Sequence, residues 1–187
     1  VQHGDAGLTN PVPVELLVKP WDALYAEPFK GITTDGKVIA DLFQLAPDGA
    51  PIEAMCSAAQ QLLEHLDGNQ RKAMCMPIDA REWRRWNNTE MYVYRYGLRL
   101  EEVSDGLKAR IMTLIAASLS RAGHEKTRDV MRVNHFLGEL TGNTRVLGEW
   151  SYNFTMFGEP SLREPWGWQL MGHHLALNCL VVDGQMV

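Results

Sequence analysis

Trp166-Gly167-Trp168-Gln169-Leu170-Met171-Gly172-His173-His174-Leu175-Ala176-Leu177-Asn178-Cys179-Leu180-Val181-Val182-Asp183-Gly184 is the stretch that decides the fold. Trp166, Trp168 and Leu170 alternate with Gly167, Gln169 and Met171, the period of two that sends successive side chains to opposite faces of a strand. A second strand is predicted over residues 173–182, and Asp183-Gly184 closes it as a tight hairpin turn. Just upstream, Trp150, Tyr152, Phe154 and Met156 alternate with Ser151, Asn153 and Thr155, a strand with one aromatic and one polar face. Three neighbouring strands with short connections predict an antiparallel sheet at the C-terminal end.

The middle of the chain has a different period. Ile52, Met55, Cys56, Ala59, Leu62, Leu63 and Leu66 recur at helical spacing behind Pro51, and Asp67-Gly68 ends the run. Asp79 is placed to cap a shorter helix carrying Trp83 and Trp86. A long helix begins after Ser104 with Leu107, Ile111, Leu114, Ile115 and Ser118 on one side, and Gly123 is read as its stop. Another covers residues 127–141 with Gly142 as a left-handed cap. Val130, Val133, Phe136, Leu137 and Leu140 form its expected core arc, with Arg128, Arg132, His135 and Glu139 opposite.

Nearer the start, residues 29–32 and 38–43 flank Thr33-Thr34-Asp35-Gly36-Lys37 and predict a hairpin. Prolines at 11, 13, 20 and 28 break any helical run over residues 1–28, so an extended arm anchored by Trp21 is expected there. The organisation is thus an arm, residues 1–28, followed by an α+β domain, residues 29–187: an N-terminal hairpin, a helical middle and antiparallel C-terminal strands. Residues 185–187 are short for a returning strand, while residues 175–182 are apolar at most positions, as in a strand paired on both sides. The sheet is therefore expected to be completed by polypeptide absent from this sequence: either the chain is cut short, or a second polypeptide, the remainder of the same precursor, supplies the strand and makes the functional unit a heteromer. An N-terminus at Val1 is read either as processed or as an artificial start of the chain, and the compartment is left open.

Bulk properties exclude several function classes. The 187 residues carry a formal net charge of −5, which argues against a nucleic-acid partner. No apolar run reaches bilayer-spanning length, so no membrane partner and a soluble chain are expected. Cys56, Cys75 and Cys179 lack CxxC spacing and read as buried thiols. Neither a Walker loop, a Gly-x-Ser-x-Gly elbow nor an HExxH helix occurs.

The remaining chemistry concentrates around the histidine pair. Imidazole is both the common transition-metal ligand and the natural acid–base near neutral pH, so His173 and His174 are candidate ligands of a divalent metal such as zinc. In a regular strand the two would face opposite ways unless Gly172 forms a bulge. His174 would then share a face with Ala176 and Asn178, which makes it the first candidate catalytic residue. Glu149, on the polar side of its strand, is a second candidate, to be read as a ligand or general base or as a solvated or salt-bridged group. His135 and Glu139 lie one turn apart and can be read as ligands or as a solvated charge ladder. Trp166 and Trp168, with Trp83 and Trp86, can line a substrate pocket or fill the core, and Asn178 is a candidate substrate contact.

The Pro-Trp-Gly-Trp and Gly-His-His-Leu segments, preceded by Gly148-Glu149, Tyr152 and Phe157-Gly158-Glu159-Pro160-Ser161, resemble the domain of unknown function 3500 family. Trp83 with Asn87, Gly97-Leu98 and Leu119-Ser120 are consistent with it, extending the resemblance from about Phe29 onward. The resemblance implies a longer chain than this one, and it brings no activity with it. From the residues themselves the expected function is a hydrolytic enzyme, metal-dependent or using a general base, acting on a small organic substrate. Two alternatives stand beside it: an amidohydrolase matured by chain cleavage into two subunits, and a non-catalytic ligand-binding domain.

Overall fold

A computed structural model describes residues 14–28, 37, 39, 45–89, 94 and 96–187. The chain folds as α+β, with helices first and a mixed sheet built from strands mostly at the C-terminal end. The hairpin predicted over residues 29–43 lies outside the described residues, apart from positions 37 and 39.

Helix α1 (Val14–Ala26) replaces the expected extended arm. Pro20 sits inside it and removes one backbone hydrogen bond. Arg84 offsets that loss by donating to the carbonyls of Leu24, Tyr25 and Glu27 at the helix end. Arg85 completes the attachment, its guanidinium 4.0 Å from the Tyr25 ring centroid and 4.8 Å from that of Tyr94. Tertiary contacts outweigh the proline.

Helix α2 (Ile52–Glu64) buries Ile52, Met55, Cys56, Ala59 and Leu62, as its spacing predicts. Asp67 does more than end that run. It caps a further helix, α3 (Gly68–Met74), by accepting from the Asn69 and Gln70 amides, and Gln70 returns a bond to the Asp67 amide. The expected helix behind Asp79 is only a 3-10 turn, Arg81–Arg84, with no side-chain cap. Helix α4 (Asp105–Ser118) is capped by Ser104 and buries Leu107, Ile111, Leu114, Ile115 and Ser118. It ends at Ser118, not at Gly123. Ser120 then caps helix α5 (Arg121–Thr141), which runs through Gly123 and closes on Gly142 at φ +68°.

The sheet is organised around two long strands, β3 (Tyr152–Phe157) and β4 (Trp166–Gly172). One edge of β3 carries two short strands on different stretches: β1 (Cys75–Met76), parallel, and β2 (Leu98–Arg99), antiparallel. Strand β5 (Leu175–Val182) pairs antiparallel with all of β4, and β6 (Gln185–Met186) returns along Val181 and Val182. The Asp183-Gly184 turn forms as read, with φ +48° and +70°, both in the left-handed region that a tight hairpin needs. Asp48 accepts from the Met186 amide at 2.9 Å and ties β6 to the start of α2.

The pairing register sorts the sheet into two faces. Phe154 lies opposite Leu170 and Met156 opposite Trp168, and Tyr152, Trp166, Leu175, Leu177, Cys179 and Val181 share their face, all toward α2 and α4. The opposite face carries Asn153, Thr155 and Gln169, which are buried too. Tyr96 and Trp83 cover it: the Tyr96 hydroxyl donates to Gln169 Oε1 at 2.8 Å, and Trp83 stacks on Phe157 at 3.8 Å. Burial of β5 is less complete than its composition predicts. Leu175, Cys179 and Val181 are buried, but Asn178 is exposed and Ala176, Leu177, Leu180 and Val182 are half-buried.

Candidate functional site

Strand β4 stops at Gly172 and β5 starts at Leu175, with Gly172 and Leu175 paired. His173 and His174 are therefore the two central residues of a hairpin turn, and the expected strand over residues 173–182 is shorter by two. This changes their geometry. Opposed faces do not apply in a turn, and the rings lie side by side with centroids 4.0 Å apart. No bulge is needed.

Four contacts hold the turn. His174 adopts φ +55°, a left-handed conformation uncommon for any residue but glycine, and its amide donates to the Asn88 carbonyl at 2.8 Å. The Tyr152 hydroxyl donates to the His173 carbonyl at 3.2 Å, and burial pushes that phenol well above its ordinary range, so it remains a donor. Gly172 lies against the Tyr152 ring and the Ser151 carbonyl, where a Cβ would come within 2.5 Å of the ring and 2.9 Å of the oxygen. The fourth contact is Asn134 on α5, 2.8 Å from His173 Nδ1.

The Asn134 bond carries chemical information. Asn134 Nδ2 donates to the Gly148 carbonyl at 2.8 Å, which only an amide nitrogen can do, so Oδ1 is the atom facing His173. Oδ1 can only accept. His173 Nδ1 therefore carries the proton, and in the neutral ring Nε2 is the basic nitrogen. A carbonyl orienting one imidazole nitrogen while the other meets substrate is the arrangement general-base catalysis uses.

Asn134 is the site residue that sequence reading missed, because α5 is rolled relative to expectation. The buried side of α5 is Thr127, Met131, Asn134 and Gly138, not the predicted apolar arc. Val133, Phe136 and Leu140 face outward, 65%, 63% and 72% exposed. The reason is what α5 packs on: the loop at residues 146–148, where a Cβ on Gly138 would sit 2.1 Å from the Leu147 carbonyl oxygen. Close approach to backbone demands small and hydrogen-bonding residues. The available signal was the helical spacing of Thr127, Met131, Asn134 and Gly138.

Between α5 and the turn lies a cavity of about 390 Å³, lined by Lys126, Asp129, Val130, Val133, Asn134, Leu137, His173 and His174. That volume is within the range of small-molecule sites. Asp129 is paired with Arg132 at 3.2 Å.

The other expected site residues are placed elsewhere. Glu149 is ion-paired with Arg128, whose guanidinium stacks on Trp150 at 4.6 Å, and it does not line the histidine cavity. Trp166 and Trp168 are fully buried core residues, with ring N–H groups donating to Ser161 O and Ser118 Oγ. Neither presents a face to a ligand. Asn178 accepts from Gln169 Nε2 at 2.7 Å on the polar face of the sheet. His135 and Glu139 form an exposed pair at 3.6 Å, a surface ladder.

Among the described residues no group of three or more His, Cys, Asp or Glu side chains is arranged to hold a metal. Zinc sites use at least three protein ligands, so His173 and His174 alone do not make one. The cysteines are free; burial pushes the Cys56 and Cys75 thiols up and that of Cys179 to about 11, away from nucleophilic use. No helix among the described residues is long and apolar enough to cross a membrane.

A second cavity, of about 400 Å³, lies against Trp21, Tyr25, Arg84, Arg85, Trp86 and Tyr94, but its arginines are committed to attaching α1. At a third, about 470 Å³ and lined by Arg71, Cys75 and Glu159, Arg71 is bound to the Leu63 carbonyl at 2.6 Å. The histidine cavity is the one with oriented acid–base groups.

A family model described as "Protein of unknown function (DUF3500)" matches residues 48–187. No curated protein and no solved structure matches the chain.

Proposed function

The chain belongs to the DUF3500 family, and we propose that it carries a histidine acid–base site that hydrolyses a small organic substrate at the His173–His174 turn. The single observation that supports this reading is Asn134 fixing the tautomer of His173 at the edge of a cavity. His173 Nε2 takes a proton from water, the water oxygen bonds to a carbonyl carbon, and the carbon–leaving-group bond breaks. His174, exposed beside it, supplies the proton to the departing atom. Asn134 is a positioning residue and touches no substrate.

The test uses a panel of p-nitrophenyl esters and anilides. His173→Ala should lower kcat/KM by roughly 10²–10⁴-fold, the range of a general base. Asn134→Ala should lower kcat with little change in KM, and Asn134→Gln or Asn134→Asp should restore part of it. Turnover of an identified substrate that is unchanged in His173→Ala sinks the catalytic role and leaves the binding-domain reading.

The metal-dependent version would require a third ligand from outside the described residues, and no step is assigned to a metal here. Elemental analysis of active protein decides it. Stoichiometric zinc whose removal abolishes turnover would overturn the metal-free reading, with His173 and His174 as two of the residues that would hold the ion.

The alternative of a two-polypeptide enzyme matured by chain cleavage makes a prediction about the outer side of β5. Among the described residues, the outer side of β5 is paired with β6 only at Val181 and Val182, with one further bond from the Val187 amide to the Leu180 carbonyl. A second polypeptide adding a strand along residues 175–180 would complete the sheet. Amide exchange in the isolated chain should then be fast at the outward amides of this stretch, and slow exchange there in a monomer removes the proposal.

A further inference from the structure

The cavity at the histidines is asymmetric, and the asymmetry describes a ligand. One wall is aliphatic, made by Val130, Val133 and Leu137 of α5. The hydrogen-bonding groups, His173, His174 and Asn134, lie beside it, with Asn134 between Val130 and Leu137 along the helix. Lys126 and Asp129 stand at the rim, and with Asp129 held by Arg132 the rim is left with the positive sign of Lys126. Val130 and Leu137 are separated by two turns of helix, so the aliphatic wall is about 10 Å long.

An apolar wall exposed to water is costly unless something covers it, and it is most effective when the occupant is apolar on the same side. The wall flanks the acid–base pair, so an occupant that reaches both must be amphipathic. We propose that the substrate of this site is an acyl compound, an ester or amide of a medium-length aliphatic or single-ring acid. Its acyl arm lies on Val130, Val133 and Leu137, and its carbonyl is presented to His173 and His174. Lys126 is placed to attract the carboxylate of the product acid. This assignment rests on the acid–base reading for its chemistry, though not for its binding.

Two readouts keep the two ideas separate. In the first, hydrolysis of p-nitrophenyl acetate, butyrate, hexanoate and octanoate is followed. KM should fall about fourfold for each methylene that becomes buried, until the wall is filled, with kcat nearly constant. In the second, the free acids butyrate, hexanoate and octanoate displace an environment-sensitive naphthalene sulfonate dye from the protein, with no chemistry involved. The same chain-length order should appear, and it should persist in His173→Ala.

Val133→Asp places a charge on the wall and should flatten both series while the thermal transition is unchanged, since Val133 is 65% exposed. Leu140→Ser, one turn beyond the cavity, should leave both unchanged. If the acids bind in chain-length order and Val133→Asp abolishes that order while no ester is turned over, the acyl site stands and the hydrolytic reading falls. If esters are turned over with no dependence on length, or Val133→Asp leaves the series intact, the acyl assignment is overturned and the acid–base reading survives. A concentration-dependent elution volume in the wild-type chain that Val133→Asp abolishes, with dye displacement unaffected, would show the wall to be a protein contact and would also overturn it.

Discussion

Helices α4 and α5 follow one another in the chain and obey the same periodicity, yet they present opposite stripes to the body. In α4 the apolar stripe of Leu107, Ile111, Leu114 and Ile115 is buried. In α5 the most apolar stripe, Val133, Phe136 and Leu140, faces outward, and Thr127, Met131, Asn134 and Gly138 face in. The difference lies in the opposing surface. α4 joins α2 over a sheet face of Phe154, Trp168 and Leu170, where large aliphatic side chains fill space between other apolar groups. α5 meets the backbone of residues 146–148 and the histidine turn, where carbonyl oxygens need donors and a glycine admits close approach. An amphipathic pattern identifies the apolar stripe; only the neighbour decides whether that stripe faces inward. On α5 only Val133 of the outward stripe, with the half-buried Val130 and Leu137, lines the candidate site.

The largest effect should come from contrasting the two stripes directly. Leu114→Ala removes a fully buried side chain from α4 and should cost about 2–5 kcal/mol. Phe136→Ala on α5 removes a larger side chain and should cost a small fraction of that. Urea midpoints at constant slope measure both. Comparable losses would mean that the α5 stripe is packed after all, and the contrast between the helices would fail.

A second effect tests the α4 side through pH. Burial pushes the Cys179 thiol up to about 11 from an ordinary value of 9.0. The folded value is the higher, so the stabilisation is fully present below pH 9 and is lost as pH rises through about 11. Two units correspond to at most about 3 kcal/mol. Tyr152 is shifted in the same direction by its own burial and extends the loss to still higher pH. Cys179→Ala should be less stable at pH 7 yet show a flatter decline between pH 9 and 11. An equally steep decline would assign the alkaline limb to other groups.

The parts of the fold that could be read from residues alone are those where one local signal settles the matter. Ser104 and Gly142 mark helix ends, Asp183-Gly184 marks a turn, and the alternation around Trp166 and Phe154 marks strands; each forms. The signals that failed are those with two readings. Asp67-Gly68 can end one helix or cap the next, and its side chain does the latter. Gly123 can stop a helix or ride in its first turn, and the Ser120 hydroxyl three residues earlier, accepting from its amide, selects the second. His173-His174 resembles strand because both neighbours are strand, and only the pairing of Gly172 with Leu175 reveals the turn. The histidine pair was thus legible as a candidate, while its contact with Asn134 depended on the roll of α5. Glu149 is ion-paired, one of the two readings open to a lone carboxylate at a strand start, and its partner, Arg128, belongs to the same helix.

Asn134 permits a smaller test of the inner stripe. Its two hydrogen bonds, to Gly148 O and His173 Nδ1, are made from a buried position. Asn134→Ala should cost about 1–3 kcal/mol, the penalty for leaving buried groups without partners. His173→Ala removes one of the same bonds, so the double variant should cost less than the sum of the two single ones. Strict additivity in urea titrations would show the two residues to be uncoupled and would remove Asn134 as the group that orients the imidazole.

The smallest expected effect is the one most specific to the outward stripe. Phe136→Ser exchanges a ring that is 63% exposed for a hydroxyl on the solvent side of α5. Little area is removed from water contact by folding at this position, so stability should change by less than about 0.5 kcal/mol. Helix propensity is nearly equal for the two residues and does not offset the comparison. The informative variable is protein concentration. If the stripe is open, the urea midpoint of the wild-type chain is independent of concentration, and Phe136→Ser overlays it. If instead the stripe is covered by a second copy, mass action makes the wild-type midpoint rise with concentration, and Phe136→Ser lowers it most where the protein is most concentrated. That outcome would make α5 resemble α4 after all, an apolar stripe buried by an apolar neighbour, with the neighbour contributed by another molecule.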